Sequence, residues 1–149
     1  MGQSAFAEGI GTMASGRAAH AEGVDTIASG VKSHAEGDDT LASGDTSHAE
    51  GNFTRASGGS SHAEGNGTQA SGYYSHAEGG STVASGRCTH AEGNNTTASG
   101  FAAHASGYYT VASGDGSYTE GNYCNFSNIN LTGDANATTY TCSSGIGYL

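Results

Sequence analysis

Seven histidines stand at fourteen-residue intervals, at His20, His34, His48, His62, His76, His90 and His104. Each of the first six is followed two residues later by a glutamate, at Glu22, Glu36, Glu50, Glu64, Glu78 and Glu92. An imidazole beside a carboxylate can exchange protons, ligate a divalent metal or form a hydrogen bond. Repetition argues against the first use, because catalysis relies on one distinctive constellation in a pocket. For the second, the repeat supplies no open-site signature, and the spacing of Cys88, Cys124 and Cys142 is not that of metal ligands. We therefore expect no catalytic residue, no cofactor and no metal site. The remaining use is structural. Carboxylates stacked at strand spacing repel one another, and a neighbouring imidazole can donate a hydrogen bond to each. The adjacent charge favours imidazolium while burial opposes it, so the rank is expected to respond to pH in the histidine range.

The elements that position these pairs follow from a second periodicity. Glycine recurs every seven residues from Gly9 to Gly121, with alanine two residues before it from Ala7 to Ala112 and Thr119 in the last slot. Two heptads alternate, which makes the true period fourteen. One reads Ser-His-Ala-Glu-Gly, as at 33–37, 47–51 and 61–65; the other reads Thr-x-Ala-Ser-Gly, as at 26–30, 40–44 and 82–86. A coiled coil is excluded, since it needs large apolar residues at two heptad positions, and each glycine would cost about 1 kcal/mol in a helix. Five-residue strands joined by short turns fit instead. Side chains alternate along a strand, so Thr or Ser shares the inner face with Ala, and His and Glu share the outer face. Glycine then supplies the positive φ of each turn, and the Asn, Asp and Gly residues after it suit turn positions. Each fourteen-residue unit is one coil of two strands, and about eight coils rising ~4.8 Å each give a rod near ~40 Å. The threonine rank from Thr12 to Thr110 is expected to point inward and bond turn backbone.

Composition narrows the function. The chain has 149 residues, 26 of them glycine, with no proline or tryptophan and a formal charge of −10. Its few bases, Arg17, Lys32, Arg55 and Arg87, argue against nucleic acid and anionic membrane as partners. No apolar run is long enough to insert in a bilayer, and the start enters the repeat without a signal peptide. An alanine interior buries little apolar area against the entropy of ordering, so an oligomer is expected.

The repeat resembles the head repeats of trimeric autotransporter adhesins, and is similar to repeats of phage and surface fibre proteins. The shared pattern is small-x-Ala-x-Gly-x-x twice per coil, over about residues 4 to 121. The resemblance implies a left-handed parallel β-roll associated as a homotrimer, located extracellularly on a cell or virion surface. It departs at one point, because the adhesin heads usually carry Val and Ile where this chain has His and Glu.

The all-β reading divides the chain into a β-roll over 1–121 and a terminal cap over 122–149. In the cap, 125–132 and 137–143 have strand character around a Gly133-Asp134 turn, and a Cys124–Cys142 bond stands beside the alternative of free thiols. The His/Glu rank is nearly constant, whereas the other outward rank varies (Met13, Ile27, Leu41, Arg55, Gln69, Val83, Thr97, Val111). A constant face is expected to be packed, which places His20, Glu22 and their repeats through His104 at the oligomer interface. One turn edge collects Arg17, Lys32, Tyr73, Tyr74, Arg87 and Phe101, residues suited to a host glycan or protein. The opposite edge carries Asp25, Asp38, Asp39, Phe53, Tyr108, Tyr109 and Tyr123. The leading function is an adhesive surface-fibre module. A ligand-free structural rod and an ice-binding solenoid are the alternatives, the last disfavoured because Thr shares its parity with buried Ala.

Overall fold

The computed structural model describes residues 2–126 and 141–142. Long and short strands alternate along it. The long ones are β1 (Phe6–Ile10), β3 (His20–Val24), β5 (His34–Asp38), β7 (His48–Asn52), β9 (His62–Asn66), β11 (His76–Gly80), β13 (His90–Asn94), β15 (His104–Tyr108) and β17 (Tyr118–Asn122). Between them lie the two-residue strands β2 (Met13–Ala14), β4 (Ile27–Ala28), β6 (Leu41–Ala42), β8 (Arg55–Ala56), β10 (Gln69–Ala70), β12 (Val83–Ala84), β14 (Thr97–Ala98), β16 (Val111–Ala112) and β18 (Asn125–Phe126), and β19 is Thr141–Cys142. Strands pair in parallel with a fourteen-residue offset, so that His34 meets His48 and Glu36 meets Glu50. Through β18, odd strands form one sheet and even strands the other. The fold is therefore the all-β parallel solenoid that the repeat implies.

The two strands of a coil are unequal, contrary to the expectation of five residues each. The second heptad bends early because two successive amides converge on one carbonyl: Ser43 N and Gly44 N both donate to Ala56 O, at 2.9 and 3.2 Å. A tight turn follows at once, closed by Ser47 N donating to Gly44 O at 3.3 Å. The turns belong to the ladder too, as where Lys32 N donates to Arg17 O at 2.8 Å and Phe53 N to Asp38 O at 2.9 Å.

Glycine has two jobs rather than one. In the His-Ala-Glu-Gly heptads it does hold positive φ, as at Gly51 (φ 110°). In the Ala-Ser-Gly heptads the left-handed residue comes two places later, at Lys32, Thr46 or Tyr74. There glycine is required by close approach, since a Cβ on Gly58 would collide with the carbonyl oxygen of Gly72.

The core is a thin slot. Alanines from Ala21 to Ala112 on both sheets are essentially without exposure, and Thr26, Thr40, Thr54, Thr68, Thr82, Thr96 and Thr110 lie buried among them. This matches the predicted parity and removes the threonine rank from the surface an ice-binding array would need. The hydroxyls behave differently from expectation. From Thr26 to Thr110 the threonine Oγ1 atoms are buried and make no hydrogen bond. The hydroxyls that bond turn backbone belong to the other heptad, where Ser47 donates to Gly44 O and Ser61 to Gly58 O, both at 2.7 Å. The reason is local: the tight turn folds a carbonyl back toward the residue three places on, whereas bonds at the threonine edge run from coil to coil. Thr54→Val should therefore raise stability by about 1 kcal/mol and Ser61→Ala should lower it by about as much. Urea denaturation checks this, and shifts of the same sign in both variants would contradict it.

At the far end, β18 pairs with β16 and β19 with β17, both in parallel. The rest of the expected cap hairpin lies outside the described residues. Cys124 is buried and disulfide-bonded, so the free-thiol alternative does not hold for it; the side chain of Cys142 lies outside the described residues. Cys88 is exposed and free. Among the described residues no helix is long and apolar enough to cross a membrane.

Candidate functional site

The odd strands bring the seven histidines into one ladder on the outer face of their sheet. From His20 to His90 the imidazoles stack with centroids 4.7–4.8 Å apart. His104 turns edge-on to His90 and stacks against Tyr118, and Phe6 tilts over His20 at the other end. In-register parallel pairing causes this, because it superposes identical side chains at the strand spacing.

The carboxylates run beside the rings. Nε2 lies 3.4–3.6 Å from a glutamate oxygen within the same coil at His20–Glu22, His34–Glu36, His48–Glu50 and His62–Glu64. After His76 the pairing slips by one coil, to His90–Glu78 and His104–Glu92 at 3.5 and 3.6 Å. Ser106 in the glutamate slot beside His104 leaves that ring no carboxylate in its own coil. These separations exceed the ~2.7–2.9 Å of a charge-assisted hydrogen bond. All seven Nε2 atoms are in fact buried without a hydrogen-bond partner. The expected imidazole-to-carboxylate bonds are thus replaced by looser contacts. A five-atom ring held by its strand two residues from glutamate points alongside the carboxylate rather than at it. The longer Tyr118 does reach, donating to Glu120 Oε2 at 3.0 Å, and that bond raises its pKa.

The balance of charge and burial is also resolved at one ring. Burial lowers the pKa of His34, the imidazoles of His48 and His20 lower it further, and Glu36 and Glu22 pull the other way without prevailing. The faces remain about one-third to one-half exposed, with side-chain values of 34% at His34 and 39% at Glu36. The rank is therefore covered only partly within one chain.

The turn edge divides in two. Tyr73, Tyr74 and Arg87 converge around a shallow pocket with Gly72 and Ser85. The tyrosine rings meet edge-on at 5.7 Å, and the Arg87 guanidinium stands 6.0 Å from the Tyr74 ring centre. Phe101 is exposed one coil further on, where Ala102 N bonds Arg87 O. Arg17 and Lys32 form a separate pair of adjacent coils, divided from this group by Asp45, Thr46, Gly59 and Ser60.

On the opposite edge, three of the tyrosines that the repeat places there meet as a cluster. Tyr109 stacks on Tyr123 at 5.4 Å, and Tyr108 meets both edge-on, at 4.5 and 5.4 Å. The signal was present, since Tyr109 and Tyr123 are one period apart and therefore neighbours.

The sequence matches the family described as the YadA head domain repeat, in two copies, over residues 7–33, 35–54 and 91–117, together close to half of the chain. No curated protein matches it.

Proposed function

We propose, from the premise that the repeats of this chain belong to the YadA head family, that the roll is a segment of a trimeric surface fibre. YadA heads are adhesin-type fibre modules, and the β-solenoid of this chain is of that kind. In our reading three chains pack with their His/Glu ranks toward a common axis. The turn edges then face outward, and the Tyr73, Tyr74 and Arg87 pocket presents aromatic faces and a cation to a glycan or protein on a host surface.

The observation that carries this reading is the contrast between ranks. His and Glu repeat almost without change on a face that one chain leaves half open, while the rank on the other sheet passes from Ile27 to Arg55 to Val83. A slender alanine core also gains from burying a second face.

Light scattering behind a sizing column tests the assembly, and a glycan array probed with the same fraction tests the presentation. The expected mass is three times the 14.7 kDa of the chain, with array binding that Arg87→Ala reduces. A monomeric mass removes the shared axis. A trimer whose array signal is absent or unchanged by Arg87→Ala leaves a structural rod.

A further inference from the structure

The histidine ladder has a second capability that does not depend on how many chains assemble. We propose that the imidazole and glutamate ranks of the odd strands bind borderline divalent cations, the class of Zn²⁺, Ni²⁺ and Cu²⁺, at about two per chain. Besides the lack of an open-site signature, the structural reading of these residues rests on each imidazole serving a glutamate as a hydrogen-bond donor. No such bond forms, and all seven Nε2 atoms lie buried without a partner. An unbonded ring nitrogen beside a rank of carboxylates is a free ligand.

The distances suit coordination better than they suit hydrogen bonding. Metal–nitrogen and metal–oxygen bonds of ~2.0–2.2 Å in a tetrahedral site put neighbouring donors roughly 3.3–3.6 Å apart. The His–Glu separations are 3.4–3.6 Å. Four sets of three donors have all their ligand atoms within 4.8 Å: His34, Glu36 and His48; His48, Glu50 and His62; Glu64, His76 and Glu78; Glu78, His90 and Glu92. A third ligand at that distance comes into range by a modest side-chain rotation, and half-exposed side chains can rotate. Mixed imidazole and carboxylate donors select zinc, nickel and copper over the calcium and magnesium that all-oxygen sites prefer. With 14 acidic and 4 basic residues, the surrounding potential attracts cations as well.

The stoichiometry follows from sharing. The first two sets have His48 in common and the last two have Glu78, and cations one coil apart would repel. Each pair of sets therefore holds one ion.

The test uses the untagged chain after chelator treatment. Isothermal titration with Zn²⁺ is expected to give about two ions per chain, and Cu²⁺ is expected to show nitrogen superhyperfine lines in its EPR spectrum. His48→Gln should reduce the stoichiometry to about one, and combining it with Glu78→Gln should abolish binding. Both positions point outward, so the variants keep the wild-type circular dichroism. If either variant fails to fold, the EPR spectrum of the wild type decides alone. A copper spectrum without nitrogen coupling, Ca²⁺ bound as tightly as Zn²⁺, or unchanged stoichiometry in a folded His48→Gln would each overturn the proposal.

Discussion

Gly65→Ala is expected to melt the middle of the roll, at a cost of about 3 kcal/mol or more, while Gly67→Ala, two residues on, costs about 1 kcal/mol. Gly65 holds φ at 109°, a region almost closed to L residues. A Cβ there would fall on the carbonyl oxygen of Gly79 and 3.0 Å from its N and C atoms. Those atoms are backbone in the β9–β11 ladder, so relief would require breaking the pairing. Gly67 has φ 67°, and its Cβ would come no nearer than 3.6 Å to Ser81 Oγ. The equivalent place in other coils already holds Phe53, Asn95 and Tyr109 at φ 54–55°. In a solenoid each coil touches only its neighbours, so a break in β9 divides the stack. Thermal melts followed by circular dichroism, with hydrogen exchange to locate the loss, distinguish the two variants. Equal melting temperatures would mean that the close approach at Gly65 is not a constraint.

This pair of glycines also marks where the sequence was legible. The period, parallel register and inward parity all followed from identical residues recurring at fixed intervals, because superposing like on like leaves one arrangement. The division of labour among glycines did not follow. Gly51 and Gly58 occupy the same place in successive heptads, and a Cβ on either would collide with the carbonyl oxygen of the next coil, yet only Gly51 also holds a positive φ. Composition cannot separate a torsional from a steric demand, since glycine answers both. The left-handed residues were hidden for a related reason. Tyr74, Cys88 and Phe53 are poor left-handed formers on their own, and they adopt φ 55–58° because the amide of each continues the ladder.

The candidate site shows the same boundary. That seven imidazoles form one rank could be read directly. That none of them hydrogen-bonds its glutamate could not, because the decision turns on a few tenths of an ångström between 3.5 Å and a bonding distance. The slip in pairing after His76 could not be read either, because the repeat is the same on both sides of it. At the edges, one-period neighbours such as Tyr109 and Tyr123 were readable, and the convergence of Arg87 on Tyr74 needed the coordinates.

Ala70→Leu is expected to destabilise the roll by about 3 kcal/mol, the upper part of the usual range for overpacking, while Gln69→Leu stays within about 0.5 kcal/mol. The two residues are adjacent in β10, and alternation sends one inward and the other outward. Ala70 has no exposure, and the fully buried side chains around the slot are no larger than threonine. A leucine there needs space that would come only from separating the sheets. Short turns tie the sheets together at both edges of every coil, and those turns are themselves hydrogen-bonded from coil to coil. A local bulge would therefore have to propagate through neighbouring ladders. Gln69 is exposed and stands in register with Arg55 and Val83, so a leucine there meets solvent, the long Arg55 on one side and the apolar Val83 on the other. Urea denaturation of both variants reads the difference. If Gln69→Leu proved as damaging as Ala70→Leu, the outer face of the short strands would have to be covered in the folded protein, and the even sheet rather than the histidine ladder would become the first surface to examine for contact between chains.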